Sequence, residues 1–245
     1  MILLIIVSIE GVLFPLFSIS SVYYLILTIK TNPGYVPNEK SSSVLSDLAR
    51  RNQLTFRSFC PTCFIRRPIR SKHCKVCDVC VAKYDHHCPW TSNCIGYRNH
   101  RYFVSYLILL GISILLWYID AFKSIAKPFV FSSMITFIVP TFFVFTLIFL
   151  QIWQISINQT TNEMANYYRF EYFFPKPTDF DNEMNEDSGF DTGIDEKDIF
   201  KYRKFKNPFD KGVLSNIKEF FKNRMDYHWE SLYNIYNETK DISIV

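Results

Sequence analysis

The sequence predicts an α-helical membrane protein with three complete spans and a cytosolic cysteine-rich domain folded around metal ions. Three observations predict this class: long uncharged apolar runs, seven cysteines confined to residues 60–94, and basic residues concentrated beside them. Composition alone does not decide, because 49% hydrophobic and 18% aromatic residues suit either a large soluble domain or a small membrane protein. The grouping of the apolar residues into long runs favours the membrane protein.

Three apolar runs have the length of a membrane span. Residues 12–29 carry no charge and end at Lys30, and at ~1.5 Å per residue they extend over roughly 27 Å, enough for a bilayer core. Residues 103–119 and 129–157 form two further runs. We expect these two runs to pair as a helical hairpin, with a kink at Pro140 in the second.

All seven cysteines and three of the five histidines lie in one short stretch. It reads Cys60-x2-Cys63-x9-His73-Cys74-x2-Cys77-x2-Cys80-x4-Asp85-His86-His87-Cys88-x5-Cys94. Two cysteines separated by two residues can direct their thiolates at one ion, and thiolate with imidazole is the ligand set that Zn²⁺ prefers. Overlapping pairs of this kind predict structural zinc sites rather than a disulfide framework.

The number of possible ligands leaves one thiol over. Two tetrahedral sites need eight ligands, and the stretch offers seven cysteines and three histidines. If Asp85, His86 and Cys88 are set aside, six cysteines and two histidines remain, which makes two sites of three cysteines and one histidine. An acid, a base and a thiol in this order are the chemical set of an activated cysteine nucleophile.

The run Asp85-His86-His87-Cys88-Pro89-Trp90, followed by Asn93-Cys94-Ile95-Gly96 and Asn99, resembles the DHHC (Asp-His-His-Cys) family of protein S-acyltransferases. The resemblance implies that Cys88 accepts the acyl group, that His86 is its base and that Asp85 orients His86. It also implies two interleaved zinc sites, a division that spacing alone does not give. One site would comprise Cys60, Cys63, His73 and Cys80, and the other Cys74, Cys77, His87 and Cys94.

Motifs outside the cysteine-rich stretch extend the resemblance. Thr31-Asn32-Pro33-Gly34 resembles the family's Asp-Pro-Gly motif, and Thr160-Thr161-Asn162-Glu163 resembles its Thr-Thr-x-Glu motif. By resemblance Thr161 supports Asp85 from behind, and Asn216 in the C-terminal element buttresses the active site. The family usually has two spans before its cysteine-rich domain. Residues 1–9 therefore look like the tail of a truncated first span, interrupted by Glu10 and Gly11.

Basic residues beside the cysteines allow two interpretations that are compatible. The set comprises Arg66, Arg67, Arg70, Lys72, Lys75 and Lys83. It suits a face attracted to anionic lipid. All of these except Lys83 are also candidates for binding the phosphates of coenzyme A. The net charge of +4 gives no reason to expect a nucleic-acid partner.

Free thiols belong in a reducing compartment, and basic residues mark the cytosolic side of a membrane protein. We therefore expect an integral membrane protein of the endomembrane system (endoplasmic reticulum, Golgi or plasma membrane), with its cysteine-rich domain and C-terminus in the cytosol. The expected divisions are an N-terminal membrane segment (1–30), a linker with the zinc domain (31–101), a transmembrane hairpin (102–157) and a C-terminal region with an amphipathic helix (158–245).

The resemblance implies a function in protein lipidation. A long-chain acyl group would move from acyl-CoA to a thioester on Cys88 and then to cysteine thiols of membrane-associated proteins, while two zinc ions serve the fold. Two alternatives remain open at this point. One is a membrane-tethered zinc module that binds partners without catalysis, and the other is a truncated family member with impaired catalysis.

Overall fold

The computed structural model describes residues 2–37, 50, 59–173 and 206–222. Three of its helices are long and apolar enough to cross a membrane: α1 (Ile2–Lys30), α2 (His100–Lys123) and α3 (Pro128–Ser156). Two shorter helices follow, α4 (Thr161–Ala165) and α5 (Val213–Phe221). The predicted class, a helical membrane protein with three spans, is confirmed.

Helix α1 corrects the expectation for residues 1–9. The helix runs without a break from Ile2 through Glu10 and Gly11 to Lys30, so the described part of residues 1–9 continues the same helix. Glutamate is a good helix former and a single glycine costs only about 1 kcal/mol, so this pair does not end a helix. The segment of α1 that suits a bilayer is Gly11–Lys30.

The helix ends lie close to the predicted limits. Helix α2 starts three residues before residue 103 and includes Asp120 and Lys123, because a charged residue can end the apolar run without ending the helix. Helix α3 passes through Pro140. The expectation of a hairpin is met, since residues 124–127 join the two helices and the helices pack together.

Helix α2 packs against both α1 and α3, and its contact with α1 is the more extensive one. A methyl group in place of the hydrogen at Gly111 would lie 2.7 Å from Cδ1 of Ile148, so the glycine lets α2 approach α3. Phe103, Val104 and Leu107 of α2 form a buried cluster with Ile155 at the end of α3. This cluster lies at the membrane end that carries the cysteine-rich domain, since Cys88 belongs to it.

The cysteine-rich domain consists of three short antiparallel hairpins. These are β1 (Phe59–Cys60) with β2 (Ile65–Arg66), β3 (Lys72–Cys74) with β4 (Val79–Val81), and β5 (His86–Cys88) with β6 (Asn93–Ile95). Strands of two or three residues bury little apolar surface. A fold of this size needs another source of stability, and ligation of metal ions is one such source.

The turn after α1 attaches the membrane segment to the zinc domain. Asn32 accepts hydrogen bonds from the backbone N–H groups of Gly34 and Tyr35, which closes the turn. Gly34 has a φ of 109°, a conformation that favours glycine. Beyond the turn Tyr35 bridges to Val81 of β4, so the chain continues along the edge of that hairpin.

The linker at 38–49 and 51–58 lies outside the described residues, as do 174–205 and 223–245. The expected divisions of the chain therefore stay predictions. Within the described residues, the expected amphipathic helix is present as α5, with Asn216 and Phe220 buried and Leu214 exposed. This helix packs against the end of α3.

Candidate active site and metal centres

Strand alternation assigns neighbouring residues of β3 to different sites. Successive side chains of a strand point to opposite faces, so His73 and Cys74 face opposite ways. His73 lies directly opposite Cys80 of β4, and paired residues of an antiparallel ladder share a face. Cys74 begins the turn that carries Cys77. One hairpin thus contributes to two separate groups of side chains that could hold a metal ion.

Each metal site combines a turn with a cross-strand pair. The first group joins the turn cysteines Cys60 and Cys63 to the pair His73 and Cys80. The second group joins the turn cysteines Cys74 and Cys77 to the next pair, His87 and Cys94 of β5 and β6. This division of the ligands is the one that the family resemblance implies.

Both groups of ligands fit zinc. Within each group the ligand atoms lie within 4.8 Å of one another. Nδ1 of His87 is 3.7 Å from Sγ of Cys74, 3.4 Å from Sγ of Cys77 and 3.7 Å from Sγ of Cys94. Tetrahedral zinc with Zn–S of ~2.3 Å and Zn–N of ~2.0–2.1 Å requires S···N separations of about 3.6 Å. Four protein ligands leave no open position, so the sites suit a structural ion.

Alternation in β5 separates a metal ligand from the two residues beside it. His87 faces Cys94 and the second metal group, whereas His86 and Cys88 lie on the opposite face. On that face the ring of His86 packs edge-on against Phe103 of α2, and Cys88 is buried in the apolar cluster at the top of the membrane helices. The thiol is therefore not a metal ligand and lies at the membrane surface.

Asp85 is a buried carboxylate with several donors around it. Its Oδ2 lies 2.7 Å from Nδ1 of His86 and 2.9 Å from Oγ1 of Thr161, and its Oδ1 accepts the backbone N–H of Thr161 at 2.7 Å. Burial by itself would raise the pKa of Asp85. The neighbouring His100 and the hydrogen bonds from His86 and Thr161 outweigh burial, and the pKa falls well below its usual range. Asp85 is thus ionised and fixes His86 through Nδ1.

The surroundings of His86 and Cys88 favour their charged forms, an imidazolium and a thiolate. Burial acts to lower the pKa of His86, but hydrogen bonds with Asp85 and Cys88 raise it to about 9. Burial acts to raise the pKa of Cys88, but hydrogen bonds with His86 and Thr91 lower it to about 7. An imidazolium beside a thiolate is the reactive form of a cysteine nucleophile.

Comparison with known proteins agrees with this geometry. Residues 53–168 match the family model described as DHHC palmitoyltransferase. The matched residues form a DHHC domain. It is similar to palmitoyltransferase ZDHHC17 of Danio rerio, with 31% identity over 86% of this chain and 35% of the relative, and of Homo sapiens, with 34% identity over 64% and 29%. Palmitoyltransferase akr1 of Aspergillus oryzae is 33% identical over 69% of this chain and 26% of its own length.

The chain spans about a third or less of the length of these curated relatives. The matched region holds both metal groups, Cys88 and the Thr-Thr-x-Glu motif. Together with the three apolar helices, the match identifies an integral membrane protein that contains a DHHC domain.

The Thr-Thr-x-Glu motif places Thr161 at the start of α4. The side chain of Thr160 accepts the backbone N–H of Glu163, and the carboxylate of Glu163 accepts the backbone N–H of Thr160, which is a capping box. The cap leaves the N–H and hydroxyl of Thr161 free to donate to Asp85. The same hydroxyl also lies 3.1 Å from Oε1 of Gln154, which belongs to α3.

Several residues around the DHHC site were missed by sequence reasoning. Thr91 stabilises the thiolate of Cys88, and no pattern in the sequence marks it. His100 lies 3.9 Å from Oδ2 of Asp85 and bonds the amide of Gln151 at 2.6 Å. Gln151 and Gln154 are the two glutamines of the third apolar run, three residues apart and so on one helix face. Polar residues near the end of a span were the signal that could have found them.

Arg70, one of the residues expected to bind coenzyme A, is buried in an ion pair. Arg70 forms a bidentate ion pair with Glu163 at 2.6 and 2.5 Å, and the two side chains are 7% and 1% exposed. The guanidinium also donates to the side chain and carbonyl of Asn158 and lies over the ring of Phe209. Its donors are committed inside the protein, so Arg70 is not available to a phosphate.

The other expected coenzyme A residues have varied surroundings. Lys72 is half-buried, donates to Asn162 at 2.9 Å and lies over the ring of Tyr84. Arg66 and Arg67 are half-buried, and Lys75 is exposed. Binding of coenzyme A phosphates by these four residues is therefore a proposal.

Asn216 joins α5 to the end of α3. Its side-chain amide donates to the carbonyl of Ser156 at 2.8 Å and to Asp210 at 2.6 Å, and it accepts the backbone N–H of Lys211 at 3.0 Å. The residue is 2% exposed. From α5, Phe220 reaches the ring of His100 edge-on at 5.0 Å, so this contact links the C-terminal element to the surroundings of Asp85.

Proposed function

We propose that this chain is a protein S-acyltransferase, a protein-cysteine palmitoyltransferase that uses Cys88 as its nucleophile. The observation that carries the proposal is the arrangement on one face of β5, where His86 and Cys88 lie together and Asp85 holds His86 through Nδ1 at 2.7 Å. A zinc module that only binds partners has no use for this arrangement. The names of the relatives, palmitoyltransferases all, support the same reaction.

The first step forms an acyl-enzyme. The thiolate of Cys88 attacks the thioester carbonyl of a long-chain acyl-CoA, a bond forms between Sγ and the carbonyl carbon, and the bond to the sulfur of coenzyme A breaks. The departing thiolate takes the proton that His86 holds. Asp85, fixed by Thr161, stabilises the imidazolium before this transfer.

The second step transfers the acyl group to a protein. Neutral His86 takes the proton of a substrate cysteine, the resulting thiolate attacks the Cys88 thioester, and Cys88 leaves as a thiolate. The reaction thus returns the enzyme to its starting state with no net gain or loss of protons. The membrane helices beneath Cys88 accommodate the acyl chain, whose burial contributes about 0.8 kcal/mol per CH₂.

The surroundings of the site follow from this reaction. Zinc supports the fold at both metal groups. Arg66, Arg67, Lys72 and Lys75 are the candidates that remain for the phosphates of coenzyme A. Substrates are membrane-associated proteins with accessible cysteines. The cysteine-rich domain and the C-terminal region face the cytosol of an endomembrane or plasma membrane, where acyl-CoA is available and thiols stay reduced.

Labelled palmitoyl-CoA tests the proposal. The purified chain in a membrane mimic should acquire label that hydroxylamine releases, as expected of a thioester. Cys88→Ser should take up no label and keep its zinc, because no metal ligand is changed. Label that persists in Cys88→Ser, or an unaltered zinc-loaded chain that takes up none, would refute the proposal.

A further inference from the structure

The last carbonyl groups of α1 find their partners outside the helix. A helix leaves its final carbonyls without intrahelical donors, and many helices end with a glycine that satisfies them. Helix α1 ends at Lys30 and is followed by Thr31, Asn32 and Pro33, with no glycine in the capping position. Only the carbonyl of Leu27 is satisfied locally among these, by the N–H of Thr31 at 2.9 Å.

Two asparagines of the DHHC domain supply the missing donors. The side-chain amide of Asn93 reaches the carbonyls of Thr28, Ile29 and Thr31 at 3.3, 3.1 and 3.2 Å. The amide of Asn99 donates to the carbonyl of Thr28 at 3.2 Å. The end of the first span is therefore capped by residues more than sixty positions along the chain.

Both asparagines are also fixed to the hairpin that carries the thiol. Asn93 lies directly opposite Cys88 in the β5–β6 ladder and accepts the hydroxyl of Tyr35 at 3.3 Å. Asn99 donates to the carbonyl of Cys94 at 2.8 Å and accepts the N–H of Gly96 at 2.9 Å. The two residues are 8% and 0% exposed, so solvent does not replace these bonds.

We infer that Asn93 and Asn99 are positioning residues that set the place of Cys88 relative to the first membrane helix. The inference rests on the proposed acyl transfer, in which the thioester carbonyl of a membrane-embedded chain must meet Sγ. A displacement of about 1 Å between reacting groups can cost on the order of 10²-fold in rate. Of the groups that activate the thiol, His86 and Asp85 form no hydrogen bond with these asparagines, and Thr91 meets only the backbone carbonyl of Asn93, at 3.5 Å, which substitution of that side chain leaves in place.

Because the asparagine side chains do not touch His86 or Asp85, positioning of the thiol and activation of the thiol can be measured separately. Loss of the hydrogen bonds from Asn93 and Asn99 to α1 should slow attack on an acyl group held by the membrane helices. It should not change attack on a small reagent that reaches the thiol from water, because His86 and Asp85 still activate Cys88. A residue needed only for folding would affect both reactions and the zinc content together.

The substitution Asn99→Asp preserves size and the acceptor for Gly96 while replacing the donor to Thr28 and Cys94 with an oxygen. Asn93→Ala removes the other donor without adding a charge. Asn166→Asp is the matched control, since the amide of Asn166 also donates to a backbone carbonyl, that of Asn162 at 3.0 Å, but does not touch α1.

Three rates and the zinc content are measured for each full-length variant in a membrane mimic. They are acylation of Cys88 by palmitoyl-CoA, acylation by acetyl-CoA, whose acyl group is too short to enter the helices, and alkylation by iodoacetamide across pH, each read on the Cys88 peptide by mass spectrometry. We expect Asn99→Asp and Asn93→Ala to slow palmitoylation on the order of 10²-fold. The rate of acetylation and the pH midpoint of alkylation should be unchanged, and each variant should retain two zinc ions.

The contrary results are distinct from failure of the proposed function. Equal slowing with both acyl donors, loss of zinc, or a displaced alkylation midpoint would assign the asparagines a general structural role and overturn the inference. Unchanged palmitoylation in both variants would overturn it as well. Failure of the unaltered chain to label with palmitoyl-CoA would refute the proposed function itself and remove the basis of the inference.

Discussion

Glu163→Gln separates two roles of one buried side chain. Glutamine can still accept the backbone N–H of Thr160, so the capping box of α4 is retained. The substitution removes the negative charge that faces Arg70, whose side chain is only 7% exposed. A buried guanidinium then lacks its counter-ion, and removing one partner of a buried ion pair costs about 3–5 kcal/mol.

Thermal unfolding in detergent measures this cost. For a chain of this size each kcal/mol lowers the Tm by about 2–4 °C, so the expected decrease is about 6–20 °C. The matched control is Glu219→Gln, which removes the ion pair with Lys211, where the two side chains are 61% and 41% exposed. Exposed pairs contribute at most about 1 kcal/mol, so the control should change little.

A second substitution tests the reason for the cost. Arg70→Met added to Glu163→Gln removes the orphaned charge, and the double variant should be more stable than Glu163→Gln alone. Equal Tm values for Glu163→Gln and Glu219→Gln would contradict a stabilising ion pair between Arg70 and Glu163. In that case Arg70 would not be held by Glu163, and its assignment to coenzyme A phosphate would be open again.

Three further predictions concern the zinc content, the pH dependence of acylation and the orientation in the membrane. Elemental analysis should find two zinc ions per folded chain, and Cys94→Ala should lose both metal and folding, since structural zinc contributes on the order of 10–16 kcal/mol in small zinc peptides; one ion or none in folded protein would contradict the two-site assignment. Acylation by palmitoyl-CoA should be fastest between about pH 7 and pH 9, because Cys88 is protonated below its pKa of about 7 and His86 loses its proton above its pKa of about 9; Asp85→Asn should move the acid limb to higher pH, and an unmoved limb would contradict the role of Asp85. A membrane-impermeant thiol reagent should reach residues 60–94 from the cytosolic side of sealed vesicles, and access from the lumenal side alone would reverse the proposed orientation.

Much of the fold could be predicted because its signals are local. Span-length apolar runs and closely spaced cysteines are visible in the sequence, and α1, α2, α3 and both metal groups are found where those signals lie. The division of ligands could also have been predicted from alternation. If His73-Cys74 and His86-His87-Cys88 are read as strands, neighbouring residues must serve different faces, and Cys88 joins His86 rather than the metal.

The remaining features depend on contacts between distant segments. Arg70 is one of several similar basic residues in the sequence, and only its meeting with Glu163, 93 positions away, distinguishes it from a phosphate ligand. The continuity of α1 past Glu10 and Gly11 was missed because a charge and a glycine mark the end of an apolar run more often than the end of a helix. The cap that Asn93 provides for α1 has no local signal at all.

Transfer from an isolated acyl-enzyme tests the proposed two-step reaction at Cys88. The chain is acylated with labelled palmitoyl-CoA, freed of excess donor and mixed with a membrane-anchored peptide that contains one cysteine. We expect that label leaves Cys88 and appears on the peptide, and that a peptide with serine in place of cysteine acquires none. Label that leaves Cys88 at the same rate with either peptide, or a cysteine peptide labelled equally by the Cys88→Ser chain, would contradict it.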